Sequence, residues 1–226
     1  MKQVLGFDVY GTLIDTHGVI TLLRTMIGES AARFSVAWRE KQLEYTFRRG
    51  LMERYQDFLA CTRDALYHTA ESLGHSLTEN QFQALIAAYQ NLPAFPDAVS
   101  ALKKLENADC EMHAFSNGQR ESVDQVLENA GLRGYFDKTV SVDDVKTFKP
   151  SPKTYRYFME FTGSTSDNAW LVSSNGFDVI GASAMNMHTL WVCRNKQIVL
   201  DPWEFKPTAT INSLDRIVEF IEPNRD

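Results

Sequence analysis

A single short apolar run near the amino terminus, residues 4–9, is followed by a long stretch, residues 16–92, in which every apolar pattern has helical spacing. This pairing restricts the fold more than any other feature. The run ends at Tyr10-Gly11-Thr12, which reads as a strand feeding a tight loop, with Asp8 at the strand's carboxyl end. Helical periodicity then begins with Val19, Leu22, Leu23, Met26 and Ile27 and recurs over residues 34–47, 55–73 and 82–89. A lone strand leaves its backbone donors and acceptors unpaired, so its partners must come from elsewhere in the chain.

Those partners are expected after residue 92. Leu92-Pro93-Ala94-Phe95-Pro96 marks a hinge, Asp97 is placed to cap the next helix, and strand candidates follow at 110–116, 139–142, 169–173 and 189–193. Helical patterns separate them: Ala98, Leu102 and Leu105; Val123, Val126 and Leu127, ended by Gly131; a helix opened by Ser151-Pro152; and residues 178–185. Alternating strands and helices predict an α/β fold with a mostly parallel sheet covered by helices on both faces. Residues 1–15 and 93–226 are then a discontinuous core domain, and residues 16–92 a helical cap inserted over the sheet's carboxyl edge, where open α/β folds bind ligands. The competing reading is two consecutive domains, which leaves the first strand without a partner.

Polar residues gather at the expected strand ends: Asp8 and Thr12; Ser116 and Asn117; Lys149; and Ser173, Asn175 and Asp178. Turn and capping chemistry accounts for any one set alone. Four sets at one edge suggest a carboxylate nucleophile beside hydroxyl and amide donors, with an ammonium favouring its ionised form.

Composition narrows the alternatives. With 29 acidic against 23 basic residues, a net charge of -6 gives no general attraction to nucleic acid or an anionic membrane. Cys61, Cys110 and Cys193 form no C-x-x-C pair, and His68, His75 and His113 have no metal spacing with them, so neither a disulfide scaffold nor a zinc site is expected. The glycines lack dinucleotide-binding spacing, so no organic cofactor is expected. The opening MKQVLGFDVYGTL is interrupted by Asp8 and reads as neither leader nor membrane span, so the expected location is cytoplasmic.

The segment FDVYGTLID, residues 7–15, resembles the nucleophile motif of the haloacid dehalogenase superfamily. The similarity continues through Ser116-Asn117-Gly118, Phe148-Lys149-Pro150 and Val172-Ser173-Ser174-Asn175-Gly176-Phe177-Asp178. Within the helical stretch, Trp38-Arg39-Glu40-Lys41-Gln42-Leu43-Glu44-Tyr45 is similar to a segment of the L-2-haloacid dehalogenase (type II) family. Superfamily phosphatases carry a second aspartate two positions after the nucleophile to protonate a leaving alcohol. Tyr10 stands there, and a halide leaves without a proton. Ser173 stands where phosphatases have an acidic residue, leaving Asp178 as the one carboxylate of the last motif, too few oxygen ligands for magnesium.

The resemblance implies metal-independent hydrolysis of short L-2-haloalkanoic acids to D-2-hydroxy acids, with an Asp8 ester and inversion at C2. It makes Arg39 the receiver of halide or orienter of substrate, Ser116 and Asn117 holders of the substrate carboxylate, and Thr12 a hydrogen-bond partner near Asp8. Lys149 keeps Asp8 anionic, and Asp178, positioned by Ser173 and Asn175, activates water. Tyr155 joins the site, while Val9, Tyr10, Leu43, Phe58 and Phe177 contact or wall in the substrate. Phe177 stands where relatives carry tryptophan, and Gly176 where they carry alanine, changes that could widen the pocket. His17 and His188 are candidates to assist water, with loop solvation or packing as the competing account. A homodimer is implied. The competing functions are a small-molecule phosphatase of the same superfamily and a non-catalytic small-acid binding protein.

Overall fold

The computed structural model describes residues 2–221; residue 1 and residues 222–226 of the expected core lie outside them. Strand β1 (Gln3–Asp8) pairs in parallel with β2 (Cys110–Ser116) on one side and β4 (Ala169–Ser173) on the other, with Asp8 opposite Phe115 and Phe7 opposite Val172. With β3 (Lys138–Ser141), β5 (His188–Val192) and β6 (Ala209–Ile211), the sheet has six parallel strands in the order β3-β2-β1-β4-β5-β6. The α/β expectation is borne out, and the first strand lies at the middle of the sheet. Leu5 and Phe7 are fully buried, and truncating such a core phenylalanine costs about 3–5 kcal/mol.

Between β1 and β2 the sequence runs through α1 (Ile20–Ile27), α2 (Ala31–Leu51), α3 (Phe58–Ser72) and α4 (Glu79–Ala88). The outgoing and returning connections run side by side: Asp15 N donates to Pro93 O at 2.8 Å, Phe95 N donates to Leu13 O at 2.9 Å, and Ile14 bridges Ala94. Helix α2 buries Phe34, Trp38, Gln42 and Thr46 along one face, the spacing expected of an amphipathic helix. Trp38 and Gln42 are satisfied against α3, where Trp38 Nε1 donates to Thr62 O and Gln42 Nε2 to Thr62 Oγ1, while Thr46 Oγ1 donates to Leu43 O of its own helix. Asp57 caps α3, and Thr78 with Gln81 forms a reciprocal cap on α4.

The remaining helices, α5 (Ala98–Leu105), α6 (Arg120–Asn129), α7 (Pro152–Thr162), α8 (Gly176–Ser183) and α9 (Val218–Ile221), follow the alternating pattern. Three local expectations change. Asp97 occupies the cap position of α5 without capping it; its carboxylate instead receives Arg194 and Leu214 N, a charged partner outcompeting a local amide. Ser151 makes no side-chain cap, so α7 begins on Pro152 with its preset φ. Strand β6 and helix α9 were not anticipated, being too short to carry a periodic signal.

Candidate active site

The loop leaving β1 turns back on itself because Val9 O accepts from Thr12 N, Leu13 N and Ile14 N. Gly11 sits at φ +93°, where a side chain is strained and a Cβ would also approach Asn175. The turn brings Thr12 Oγ1 to 2.7 Å from Asp8 Oδ2. From the loop after β4, Ser173 Oγ donates to the same oxygen at 3.2 Å and Asn175 Nδ2 at 2.6 Å. Asp8 Oδ1 faces Lys149 Nζ at 3.3 Å. One carboxylate oxygen is thus held by three donors, and the other by an ammonium at long range.

Lys149 is itself buried. Its Nζ donates to Phe115 O and to Asp178 Oδ2, each at 2.8 Å, while Asn117 Oδ1 fixes its loop by accepting Lys149 N at 3.0 Å. Asp178 Oδ1 accepts from the Tyr155 hydroxyl at 2.8 Å. Complete burial, with Asp8 adding repulsion, pushes the Asp178 carboxyl up to about 6 although Lys149 and Tyr155 pull it down. Burial likewise raises the Tyr155 phenol well above its ordinary range, and the Asp178 charge adds to the effect. A Cβ on Gly181 would stand 2.5 Å from Tyr155 Oη, so the close approach of α7 to α8 needs glycine there. Such a buried cluster persists because every charge is paired.

Helix α2 adds Arg39, whose Nη2 donates to Tyr10 O at 3.0 Å and Nη1 to Gln42 Oε1 at 2.6 Å. Tyr10 O also receives Asn175 Nδ2 at 3.0 Å, so the helical stretch and the sheet meet on one carbonyl. The Tyr10 ring lies 5.3 Å from Phe58 and 6.4 Å from Tyr89. These rings line a cavity of about 30 Å³ with Gly118 and Gln119, room for about one water-sized group. Ser116 Oγ accepts Gly118 N at 3.1 Å, and Asn117 Nδ2 makes no hydrogen bond among the described residues.

Several expected placements differ. Ser173 and Asn175 direct their side chains to Asp8, not to Asp178; Lys149 and Tyr155 position Asp178, because its helix turns the carboxylate inward behind the loop. Phe177 packs against Phe47 at 5.1 Å and lines a groove of about 580 Å³ with Leu51, Ile180, Trp203 and Phe205. Gly176 faces Leu200 of the loop after β5, so its missing side chain opens space toward that loop. Leu43 is half-buried one turn beyond Arg39, and its carbonyl accepts Thr46 Oγ1. His188 stacks on Trp170 with Nε2 at 3.2 Å from Asp167 O, at the amino end of β5 and away from Asp8. His17 is exposed and pairs with Ser35. Neither histidine joins the cluster.

A divalent cation does not fit this donor set. Asp8 Oδ2 already has three donors, both Asp178 oxygens are engaged, and the Lys149 ammonium bridges the two carboxylates. Sequence reasoning missed Gln42, Tyr89 and Arg194. Gln42 was signalled by its place three residues beyond Arg39 on one helix face, and Arg194 by its place just past a strand's carboxyl end. Tyr89 carried no signal, since its contact with Tyr10 joins segments remote in sequence.

The haloacid dehalogenase-like hydrolase family matches residues 2–186. An (S)-2-haloacid dehalogenase from Pseudomonas putida is 35% identical over 228 residues, covering 100% of both chains. The structure of L-2-haloacid dehalogenase from Xanthobacter autotrophicus superposes with a TM-score of 0.89 at 31% identity, covering 98% of each chain. That enzyme with chloropropionic acid covalently bound gives a TM-score of 0.89 at 30% identity, again over 98% of each chain. With the nucleophile loop, the buried lysine and this fold in one chain, the protein belongs to the haloacid dehalogenase-like hydrolases.

Proposed function

We propose that this chain hydrolyses short L-2-haloalkanoic acids to D-2-hydroxy acids, with inversion at C2 and an ester on Asp8. The observation that carries the reading is the asymmetry of Asp8: three donors hold Oδ2, while Oδ1 keeps lone-pair capacity beside Lys149. Oδ1 attacks C2 from the side opposite the halogen, the C–O bond forms, and the C–X electron pair leaves as halide. No acid is needed, which suits Tyr10 two residues after the nucleophile. Water then attacks the Asp8 carboxyl carbon. Thr12, Ser173 and Asn175 stabilise the charge that builds on Oδ2, and the Oδ1–Cγ bond breaks, so Oδ1 departs as the product hydroxyl oxygen.

Asp178 takes a proton from that water and passes it to the departing Oδ1, so the product leaves as a neutral hydroxyl. The second water proton goes to solvent as Asp8 returns to a carboxylate, while Lys149 balances the two carboxylates. Arg39 orients substrate and receives halide; Ser116 and the free amide of Asn117 hold the substrate carboxylate. Val9, Tyr10, Leu43 and Phe58 enclose its alkyl and halogen groups, with Tyr155 supporting Asp178 from behind. Residues 16–92 act as the cap that excludes water, and residues 1–15 and 93–226 as the core. Among the described residues no helix is long and apolar enough to cross a membrane. The reading is completed by a cytoplasmic homodimer, which light scattering at working concentration tests.

The deciding experiment measures halide release from separate L and D enantiomers of 2-chloropropionate in chelator-containing buffer, with product configuration read in the same sample. Loss of the L form alone to D-lactate is expected, and Asp8→Asn should abolish it. No halide from either enantiomer, or D-lactate formation undiminished in Asp8→Asn, would overturn the reading.

A further inference from the structure

Outside the residues given chemical roles, one side chain gathers the nucleophile loop and its surroundings. Arg194 follows β5, and its Nη2 donates to Thr12 O at 2.9 Å while Nη1 donates to Ser174 Oγ at 3.0 Å. Thr12 and Ser174 are also joined directly, Ser174 N donating to Thr12 Oγ1 at 2.8 Å, and that same hydroxyl donates to Asp8. The guanidinium thus closes a ring of hydrogen bonds around the Thr12 hydroxyl. Nη2 and Nε also pair with the two oxygens of Asp97, at 2.8 and 3.1 Å, and the guanidinium plane covers the Phe95 ring at 4.1 Å. Phe95 N holds Leu13 O, so one arginine grips the outgoing and the returning connection together.

We propose that Arg194 is a positioning residue for the reaction: by holding Thr12 and Ser174 in fixed relation, it keeps the Thr12 hydroxyl aimed at Asp8 Oδ2. The planar fork matters, because Nη1 and Nη2 must reach two loops while Nε and Nη2 meet Asp97. A hydroxyl that accepts from one amide and donates to one carboxylate has no freedom left. Released from the clamp, it rotates among alternatives, and Oδ2 loses a donor when charge builds there. The inference rests on the dehalogenase reading for its kinetic expression, but the clamp itself does not.

The test compares wild type, Arg194→Gln, Thr12→Val and the double variant at a temperature where circular dichroism shows all four folded. Arg194→Gln should lower kcat for L-2-chloropropionate about tenfold to a hundredfold, the loss of a charge-assisted hydrogen bond, with KM changed less than threefold. In the Thr12→Val background the same change should cost less than twofold, since the arginine acts through that hydroxyl. Multiplicative losses, or an unchanged kcat in Arg194→Gln, overturn the proposal. Arg194→Lys replaces Arg194→Gln in the cycle if the latter does not fold. Amide exchange provides a readout independent of turnover: residues 9–14 and Ser174 should exchange faster in the variant than in wild type, with β3 unchanged. Wild-type protein that releases no halide defeats the functional reading alone; unaltered exchange in those loops defeats the clamp alone.

Discussion

Asn175 Nδ2 lies 2.6 Å from Asp8 Oδ2, closer than either hydroxyl donor to that oxygen, and the same nitrogen reaches Tyr10 O at 3.0 Å. A single amide therefore sets the carboxylate's rotation and ties it to the backbone of its own loop. Holding Oδ2 this firmly leaves Oδ1 as the oxygen that can form a new bond.

Replacing Asn175 by Ala should lower kcat by about 10²–10³, the usual cost of one lost donor to a developing oxyanion. The loss should fall mainly on ester hydrolysis, so rapid mixing with excess substrate should give a halide burst of one equivalent followed by slow turnover. A uniform slowing with no burst would place the donor's effect on the displacement step.

The raised Asp178 carboxyl predicts a pH dependence of definite sign. A base with its pKa pushed up to about 6 is protonated and idle below that value, so kcat should rise with pH through about 6 and then level. Stability runs the other way. The folded-state value exceeds the unfolded one, so this group's stabilising contribution is present below about pH 4 and lost as pH rises through about 6. The melting temperature of Asp178→Asn relative to wild type should accordingly be more favourable at pH 7.5 than at pH 4.5, while its activity is lost at both.

Isotope placement tests which atom water attacks. In H₂¹⁸O with enzyme in excess over L-2-chloropropionate, the product should contain ordinary oxygen, and the label should appear in the peptide carrying Asp8. Label in the first-turnover product would mean water had attacked C2 directly.

His113 offers a stability prediction remote from the chemistry. It lies buried in β2 with neither ring nitrogen hydrogen-bonded among the described residues; the Glu111 carboxylate stands 3.6 Å away. Burial holds its pKa below the ordinary histidine value, so its contribution favours the folded state above about pH 6.5 and is lost as pH falls. His113→Leu removes buried polar atoms that cost about 1–3 kcal/mol when unsatisfied. It should raise the melting temperature, and by more at pH 5 than at pH 8.

Much of this architecture was legible from the chain alone. An apolar run ending in Asp8, with only helical patterns until residue 92, forced that strand into a later sheet, where it lies between β2 and β4. Parallel strands align their carboxyl ends, so Asp8, Ser116, Ser173 and their neighbours could be assigned to one edge by counting residues. What counting could not settle is where each side chain points once there. Ser173 and Asn175 serve Asp8 while Tyr155 and Lys149 serve Asp178, a division decided by loop curvature and by how closely α7 approaches α8. His188 was near the right strand but at its wrong end, stacked on Trp170. The place of Arg194 just past a strand's carboxyl end was readable, but its partners Thr12 and Asp97 were fixed only when residues separated by most of the chain met around one guanidinium. Periodicity is a local property, written in side-chain polarity every two or three to four residues. Hydrogen-bond partnership across loops is fixed only when packing brings remote segments to within about 3 Å.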